Sequence, residues 1–187
     1  MSNDLVLKVT LLDTKPPVWR RIRVPADLTL ARLHRVLQVS MGWLGGHLHQ
    51  FEQGGVYYGP RDPEELTPSR PEARALLSTL LRRPKDRLRY DYDFGDDWRH
   101  NVVLEKVIGH EPSSSIVECL TGRRSCPPED CGGPWGYSEL LGILADPSHP
   151  DHEERVQWCG PYFQPEEFDL AQVNVALRAV SRQWRAV

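Results

Sequence analysis

Residues 87–108 contain the pattern that most constrains the fold. Polar and apolar side chains alternate through 87–93, an aliphatic-rich run covers 98–108, and Phe94-Gly95-Asp96-Asp97 separates the two. Alternation places successive side chains on opposite faces of a strand, and Asp and Gly are typical of the turn between two strands. We therefore predict a β-hairpin. Its packed face comprises Leu88, Tyr90, Tyr92 and Phe94, and its charged face comprises Arg87, Arg89, Asp91 and Asp93.

A second hairpin is predicted near the start of the chain. Residues 5–12 and 18–24 are rich in strand-forming residues, and Pro16 and Pro17 lie between them. Proline has no backbone N–H to donate, so it favours a turn at this point. The outward face of the second predicted strand is cationic and carries Trp19, Arg21 and Arg23.

The next segment is predicted to be a helix on that sheet. Thr29 is a suitable N-cap, apolar residues recur at helical spacing through 30–41, and Gly42 provides a stop. The strand HLHQF follows at 47–51. This order predicts an α+β protein with a β-grasp-like mixed sheet crossed by one helix and a C-terminal helical extension.

The length of 187 residues predicts a single compact unit rather than two independent domains. Residues 59–75 hold four prolines and read as a Pro-rich surface insertion. Residues 109–135 lack periodicity and are predicted to be a loop rich in Cys, Pro and Gly. Helical patterns then cover 138–145, 150–157 and 170–184, the last with Asp169 as N-cap. We thus predict the core within 1–108 and a loop and helical extension packed on it within 109–187.

Composition excludes several classes of protein. A net charge of −3 argues against a protein that coats nucleic acid through bulk positive charge. No apolar run approaches the roughly 20 residues that span a bilayer, and no secretory signal pattern opens the sequence, so we predict a cytoplasmic location. Neither a phosphate-binding glycine loop nor a nucleophile elbow is present.

The four cysteines offer one candidate metal site. Cys126 and Cys131 flank the turn Pro-Pro-Glu-Asp, close enough to chelate one zinc ion, with Cys119 and Cys159 as further candidate ligands. The alternative is a tight Pro-Gly turn whose thiols pack inside and whose Glu129 and Asp130 bond neighbouring backbone. The sequence favours this alternative, because structural zinc sites usually carry paired CxxC spacing.

Histidines and carboxylates from three segments offer a second candidate site. His47, His49 and Phe51 share one face of a predicted strand, and the acidic hairpin turn at 93–97 is the second segment. If the segments converge, they can transfer protons or hold a divalent cation; otherwise the acids serve the turn and His100 is a core residue. The candidate catalytic residues are His49, Asp93, Asp97, His100, Glu129 and Asp130.

A third candidate site is a nucleic-acid interface on the arginine-rich strands. Aromatic rings can stack on bases, and arginines can bind phosphates. The alternative is a set of solvated strand faces balanced by acidic neighbours, which the net charge favours. The candidate residues are Trp19, Arg21, Arg23, Arg83 and Arg87.

Five blocks of sequence together resemble the plasmid pRiA4b ORF-like family, which is also called the insertion-element passenger TnpR family. They are LKVTLLDTKPPVWRRIRVPADLTLARLHRVLQVSMGW, HLHQF, YDYDFGDDWRHNVVLE, CPPEDCGGPWGYSELL and FDLAQVN. The resemblance implies an association with mobile elements and assigns no activity. Neither a resolvase nucleophile among clustered arginines nor a helix-turn-helix tail is present.

We therefore interpret the sequence first as a non-catalytic binding or adaptor module with an unidentified protein or nucleic-acid partner. The second interpretation is a hydrolase with a mixed His/Asp/Cys site, which requires the histidines, the acidic turn and the Cys126–Cys131 loop to meet at one point. The third is a nucleic-acid-binding protein. A structure distinguishes the second from the first by showing whether these segments converge.

Overall fold

The computed structural model describes residues 3–60, 69–111 and 117–184, and in these ranges eight strands form one sheet. The strands are β1 (Asn3–Leu11), β2 (Trp19–Pro25), β3 (His49–Gln53), β4 (Val56–Gly59), β5 (Arg70–Pro71), β6 (Arg87–Tyr92), β7 (Trp98–Gly109) and β8 (Glu118–Arg123). Their order across the sheet is β5-β4-β3-β6-β7-β1-β2-β8. Both predicted hairpins, β1–β2 and β6–β7, are confirmed as antiparallel pairs.

Five α-helices are present in the same ranges: α1 (Leu30–Met41), α2 (Leu77–Leu80), α3 (Gly133–Ala145), α4 (His152–Cys159) and α5 (Leu170–Arg182). The predicted caps of α1 are confirmed, since the Thr29 side chain accepts from the amide of Arg32 and Gly42 takes the left-handed conformation. Asp169 caps α5 by accepting from the amide of Gln172 at 2.8 Å. None of these helices has both the length and the apolar character needed to cross a membrane.

The hydrophobic core lies between α1 and one face of the sheet. Leu7, in the centre of β1, is fully buried and pairs with Ile22 of β2 and Leu104 of β7. Leu33 and Leu37 on the buried stripe of α1 belong to the same cluster. Burying apolar side chains of this size is worth about 1.5–3 kcal/mol each, so this layer supplies the main stabilising term.

A buried arginine joins this layer to the edge of the sheet. The side chain of Arg20 is 1% exposed, and it donates to the carbonyls of Ser40, Trp19 and Arg123. Its guanidinium also lies 4.1 Å from the centre of the Phe168 ring. Burial lowers the pKa of Arg20, and the three carbonyl acceptors compensate for the lost hydration.

The α+β class is confirmed, and three details differ from the predicted arrangement. Among the described strands the long ones pair antiparallel and the short β4–β5 pair is parallel, so the sheet is mixed as predicted, but a specific β-grasp topology is not confirmed. Residues 118–123, inside the predicted loop 109–135, form the edge strand β8 on β2. In the predicted insertion 59–75, residues 61–68 lie outside the described ranges, while Glu72 is buried against β3. The division of the chain at residue 108 stays a prediction.

Candidate functional site

Three segments distant in sequence meet at one end of the sheet. His47 precedes β3, Asp93 follows β6, and Glu129 and Asp130 lie in the turn that leads into α3. β3 and β6 are antiparallel neighbours, with His49 opposite Tyr92, so the start of one strand adjoins the end of the other. We call the group His47, Asp93, Glu129 and Asp130 the end cluster.

The end cluster is centred on the ring of His47. Its Nδ1 lies 3.6 Å from Asp93 Oδ2, and its Nε2 lies 3.4 Å from Asp130 Oδ1 and 4.0 Å from Glu129 Oε2. The ring also packs edge-on against Tyr92, with centroids 5.8 Å apart. One ligand atom each from His47, Asp93 and Asp130 lie within 4.8 Å of one another, a spacing that a bound cation can bridge.

The hairpin turn holds Asp93 in place. Asp93 and Asp97 both take the left-handed backbone conformation, with φ of 57° and 54°, which Asp tolerates better than most residues. Asp93 Oδ1 accepts from the amides of Gly95 and Asp96, at 3.0 and 3.3 Å. The positive φ values of this turn thus fall on two aspartates and not on Gly95. The turn uses Asp93 because its short carboxylate reaches amides two and three residues ahead.

Glu129 is positioned by two donors. Its Oε1 accepts from the hydroxyl of Tyr92 at 2.8 Å and from the amide of Leu44 at 3.0 Å. Burial raises the pKa of the Tyr92 hydroxyl, and the bond to Glu129 raises it further, so Tyr92 remains a donor throughout the physiological range. This arrangement leaves Glu129 Oε2 directed toward His47.

Exposed apolar side chains border the end cluster. Leu44 and Leu48 are 92% and 66% exposed and flank His47 in sequence, while Phe94 follows Asp93 and is 54% exposed. Trp135, 80% exposed, stands on the first turn of α3. That turn is fixed to the hairpin at Gly133, where the carbonyl of Asp96 occupies the space of a Cβ atom. Phe94 is predicted on the packed face of β6, but the strand ends before it and the turn directs it to solvent.

His49 and His100, two of the predicted site residues, lie inside the protein. His49 Nε2 pairs with Glu72 at 2.9 Å, and its ring stacks on His34 at 3.5 Å. His34 Nδ1 in turn contacts the Tyr90 hydroxyl at 2.8 Å. We call His34, His49, Glu72 and Tyr90 the inner row. His100 is fully buried beside it, as the core interpretation predicts, with Nδ1 3.1 Å from the carbonyl of Tyr90.

The structure therefore brings together the acidic turn, one histidine and the Glu129-Asp130 pair, but not the full predicted set. Asp97 points to solvent and pairs with Arg99 at 3.5 Å. The histidine that contacts the carboxylates is His47, not the predicted candidate His49. The HxH spacing shows that two imidazoles share a strand face, and only the register of β3 on β6 decides which one reaches the carboxylates.

Comparison with known proteins agrees with the resemblance read from the sequence. Residues 3–172 match the model of the plasmid pRiA4b ORF-3-like proteins. The chain belongs to this family. An uncharacterised protein of Sinorhizobium fredii, y4hQ, is 40% identical over 184 residues, which cover 95% of this chain and 92% of the relative.

A solved structure supports the fold of this pRiA4b ORF-3-like protein. The crystal structure of MM3350, a protein of unknown function from Methanosarcina mazei, is 36% identical and superposes with a TM-score of 0.83. The match covers 91% of this chain and 97% of MM3350. The fold is thus shared along nearly the whole chain. The names of the two relatives state no activity.

The four cysteines of the pRiA4b ORF-3-like protein are free thiols: Cys126 and Cys131 lie in the loop between β8 and α3, and Cys159 ends α4. Cys119 lies in β8, where its backbone exchanges hydrogen bonds with the Asn174 side chain. Burial raises the pKa of Cys119 to about 11 and that of Cys131 to about 12, and raises that of Cys126 further. Within the described ranges no cysteine joins a group of three candidate ligands, so a zinc site on Cys126 and Cys131 stays a prediction.

The arginine face is largely neutralised by carboxylates. Arg21 forms a two-bond pair with Glu105, and Arg23 contacts Glu118 at 2.9 Å. Arg83 pairs with Asp86 at 3.7 Å, while Arg87 is exposed. The cationic groups of Lys8 and Arg21 lie 5.3 and 5.5 Å from the centre of the Trp19 ring. The geometry thus resembles the balanced strand face of the alternative interpretation, and a nucleic-acid interface stays a prediction.

Proposed function

We propose that this protein is a non-catalytic binding module whose binding surface is the end of the sheet around the end cluster. The observation that carries the proposal is the group of exposed apolar side chains next to the polar end cluster. Leu44, Leu48 and Phe94 border the cluster, and Trp135 extends the surface onto α3. Covering side chains of this size stabilises a complex by about 1.5–3 kcal/mol each before the cost of association.

The chemistry of this surface favours a basic and apolar partner. This surface also carries three carboxylates, those of Asp93, Glu129 and Asp130. A protein segment that alternates Lys or Arg with large apolar residues complements both features, because opposite charges steer docking and apolar contacts hold it. We therefore infer that the partner is a protein segment of this kind.

We place this module in the cytoplasm, in association with a mobile element. The four unpaired thiols support a reducing compartment. The name of the family, taken from a plasmid reading frame, supports the mobile element. We infer no activity from the TnpR designation.

Selection of peptides from a random library displayed on phage tests the binding surface. The selected peptides should be enriched in basic and large apolar residues, and should bind at least tenfold more weakly to the Leu44→Ser/Phe94→Ser variant. Tyr162→Ser is the matched control, because Tyr162 is 93% exposed and lies in the segment between α4 and α5, outside the end cluster and its apolar neighbours. Selected peptides that bind the double variant as well as the unmodified protein would show that the end of the sheet is not the binding surface.

A hydrolase is the second candidate, and the convergence of His47, Asp93 and Asp130 within 4.8 Å is the observation that favours it. Imidazole and carboxylate groups at this spacing can position water and transfer protons. Turnover of p-nitrophenyl esters and phosphodiesters that disappears in Asp93→Asn would support this candidate. Equal rates in both proteins would assign the turnover to a contaminant.

A further inference from the structure

The ring of His47 lies among carboxylates at separations longer than ordinary hydrogen bonds and short enough to share an ion. Its two nitrogens are 3.6 Å from Asp93 Oδ2 and 3.4 Å from Asp130 Oδ1, compared with about 2.7–3.2 Å for a typical hydrogen bond. We propose that one ring nitrogen of His47, together with Asp93 and Asp130, binds a divalent transition-metal cation, and that Glu129 beside Asp130 can join as a fourth ligand. The inference concerns the ion alone and does not depend on the proposed partner.

Asp93 is the fixed ligand of this site. Its side chain is 9% exposed, so its carboxylate has lost most of its hydration. Oδ1 is occupied by the amides of Gly95 and Asp96. Oδ2 faces His47 across 3.6 Å, a gap in which neither atom is well satisfied by the other. Because the turn amides occupy Oδ1, Oδ2 is the oxygen that faces the imidazole and that can ligate a cation.

The other ligands can close around an ion without moving the backbone core. Ligands of a tetrahedral ion at about 2.0–2.2 Å lie about 3.4 Å apart, so a group spread over 4.8 Å must contract. The side chains of His47 and Asp130 are 30% and 73% exposed and have room to rotate. A fixed inner ligand and adaptable outer ligands are compatible with an ion that exchanges with solvent.

Glu129 has the supporting contacts that a metal ligand usually needs. Tyr92 and the amide of Leu44 both bond to Oε1, which holds the carboxylate in one orientation. Oε2 then lies 4.0 Å from His47 Nε2, on the side of Asp130. Bonds of this kind to the non-ligating oxygen orient a ligand and commonly change metal affinity by 10- to 100-fold when removed, an order-of-magnitude range for such supporting contacts.

The donor set selects the class of ion. One imidazole nitrogen with two or three carboxylate oxygens suits Zn²⁺ or Mn²⁺, whereas Mg²⁺ and Ca²⁺ prefer oxygen ligands alone. Three carboxylates exceed the charge of one dication, so the end of the sheet remains acidic when the ion is bound. A bound ion is therefore compatible with a basic partner.

Titration calorimetry on the full chain after treatment with a chelator tests the proposal. Zn²⁺ or Mn²⁺ should bind one to one, and at least tenfold more tightly than Mg²⁺. Asp130→Asn should weaken binding at least tenfold, and His47→Gln should do the same. Asp97→Asn is the matched control, because Asp97 is an exposed acid of the same turn that faces Arg99. Asp130 is exposed, so its variant should fold even if a substitution at Asp93 does not.

Three results would overturn the site. The first is the absence of saturable binding of Zn²⁺ or Mn²⁺ by the unmodified protein at millimolar concentration. The second is undiminished binding in the Asp130→Asn/His47→Gln double variant. The third is binding that survives in that variant and disappears in Cys126→Ser/Cys131→Ser, which would move the ion to the thiols. The peptide experiment uses Leu44 and Phe94 and no metal ligand, so failure of one proposal is distinguishable from failure of the other.

Discussion

The inner row and the end cluster both combine histidines with acidic side chains near β3 and β6, but the contacts are short in the inner row and long in the end cluster. In the inner row, His34 contacts Tyr90 at 2.8 Å and His49 contacts Glu72 at 2.9 Å. In the end cluster, the distances from His47 to its carboxylates are 3.4–4.0 Å. Polar atoms satisfied by the protein stabilise the fold, while polar atoms held apart by a fixed turn remain available to a ligand. This comparison predicts that substitutions in the inner row lower the stability of the fold, and that substitutions in the end cluster weaken the binding of a ligand.

The largest expected effect is a loss of stability at acid pH from the buried imidazoles. Burial lowers the pKa of His100 to about 4, and burial together with the nearby His49 lowers that of His34 to about 3. Between pH 6.5 and 4 the unfolded chain binds protons that the folded protein does not, so the free energy of unfolding falls as the pH falls through this window. His100 alone should contribute a fall of about 3 kcal/mol by pH 4.

Urea denaturation at pH 7, 5.5 and 4 measures this slope. His100→Phe should flatten it, whatever its effect on stability at pH 7. His149→Gln, which removes a more exposed imidazole, serves as the control. An unchanged slope in His100→Phe would mean that this histidine is hydrated or titrates normally in the folded protein, and would contradict the expected loss of stability from its burial.

A smaller effect is expected from removing one hydroxyl of the inner row. Tyr90→Phe deletes the group that contacts His34 Nδ1 and accepts from Gln38 Nε2, both at 2.8 Å. The free energy of unfolding should drop by about 1–3 kcal/mol, because the buried Gln38 and the partly buried His34 lose their hydrogen bonds. Tyr162→Phe, at a 93% exposed position, should leave it unchanged. Equal stability of the two variants in urea would contradict a structural role for the inner row.

The smallest effect is expected from an acid of the end cluster. Asp130 is 73% exposed and makes one long contact with His47, so Asp130→Asn should change the free energy of unfolding by no more than about 0.5 kcal/mol. Urea denaturation of chelator-treated protein at pH 7 is the measurement. A loss above 1 kcal/mol would assign the end cluster the same structural role as the inner row and remove the contrast between them.

Several elements were predictable from the sequence because their signals are local. Thr29 and Asp169 cap the helices that follow them, and each capping bond spans three residues. Strict alternation along 87–93 identified β6, and the core alternative for His100 in β7 is confirmed by its full burial. β8 was missed because its residues have no clear alternation of their own, and an irregular register on β2 defines the strand.

Burial at the end of β6 differs from the alternation pattern for a tertiary reason. Asp91 and Asp93, predicted on the charged outer face, are 7% and 6% exposed, while Phe94 is 54% exposed. Arg89, two residues earlier in the same strand, and Gln50 of the neighbouring strand β3 both donate to the Asp91 carboxylate. The turn that follows withdraws Asp93 beneath His47 and turns Phe94 outward. Neighbouring strands and loops, rather than the alternation along β6, determine the exposure of these residues.

The sequence by itself determined the α+β class, the two hairpins, the caps of α1 and α5, and the three segments from which a site could be built. These features depend on contacts between residues a few positions apart, which a local pattern records. Only the tertiary structure decided that His47 rather than His49 faces Asp93, and that the turn at 129–130 reaches both. That choice depends on the register of β3 against β6 and on the packing of a loop more than 30 residues away, and no local pattern encodes either.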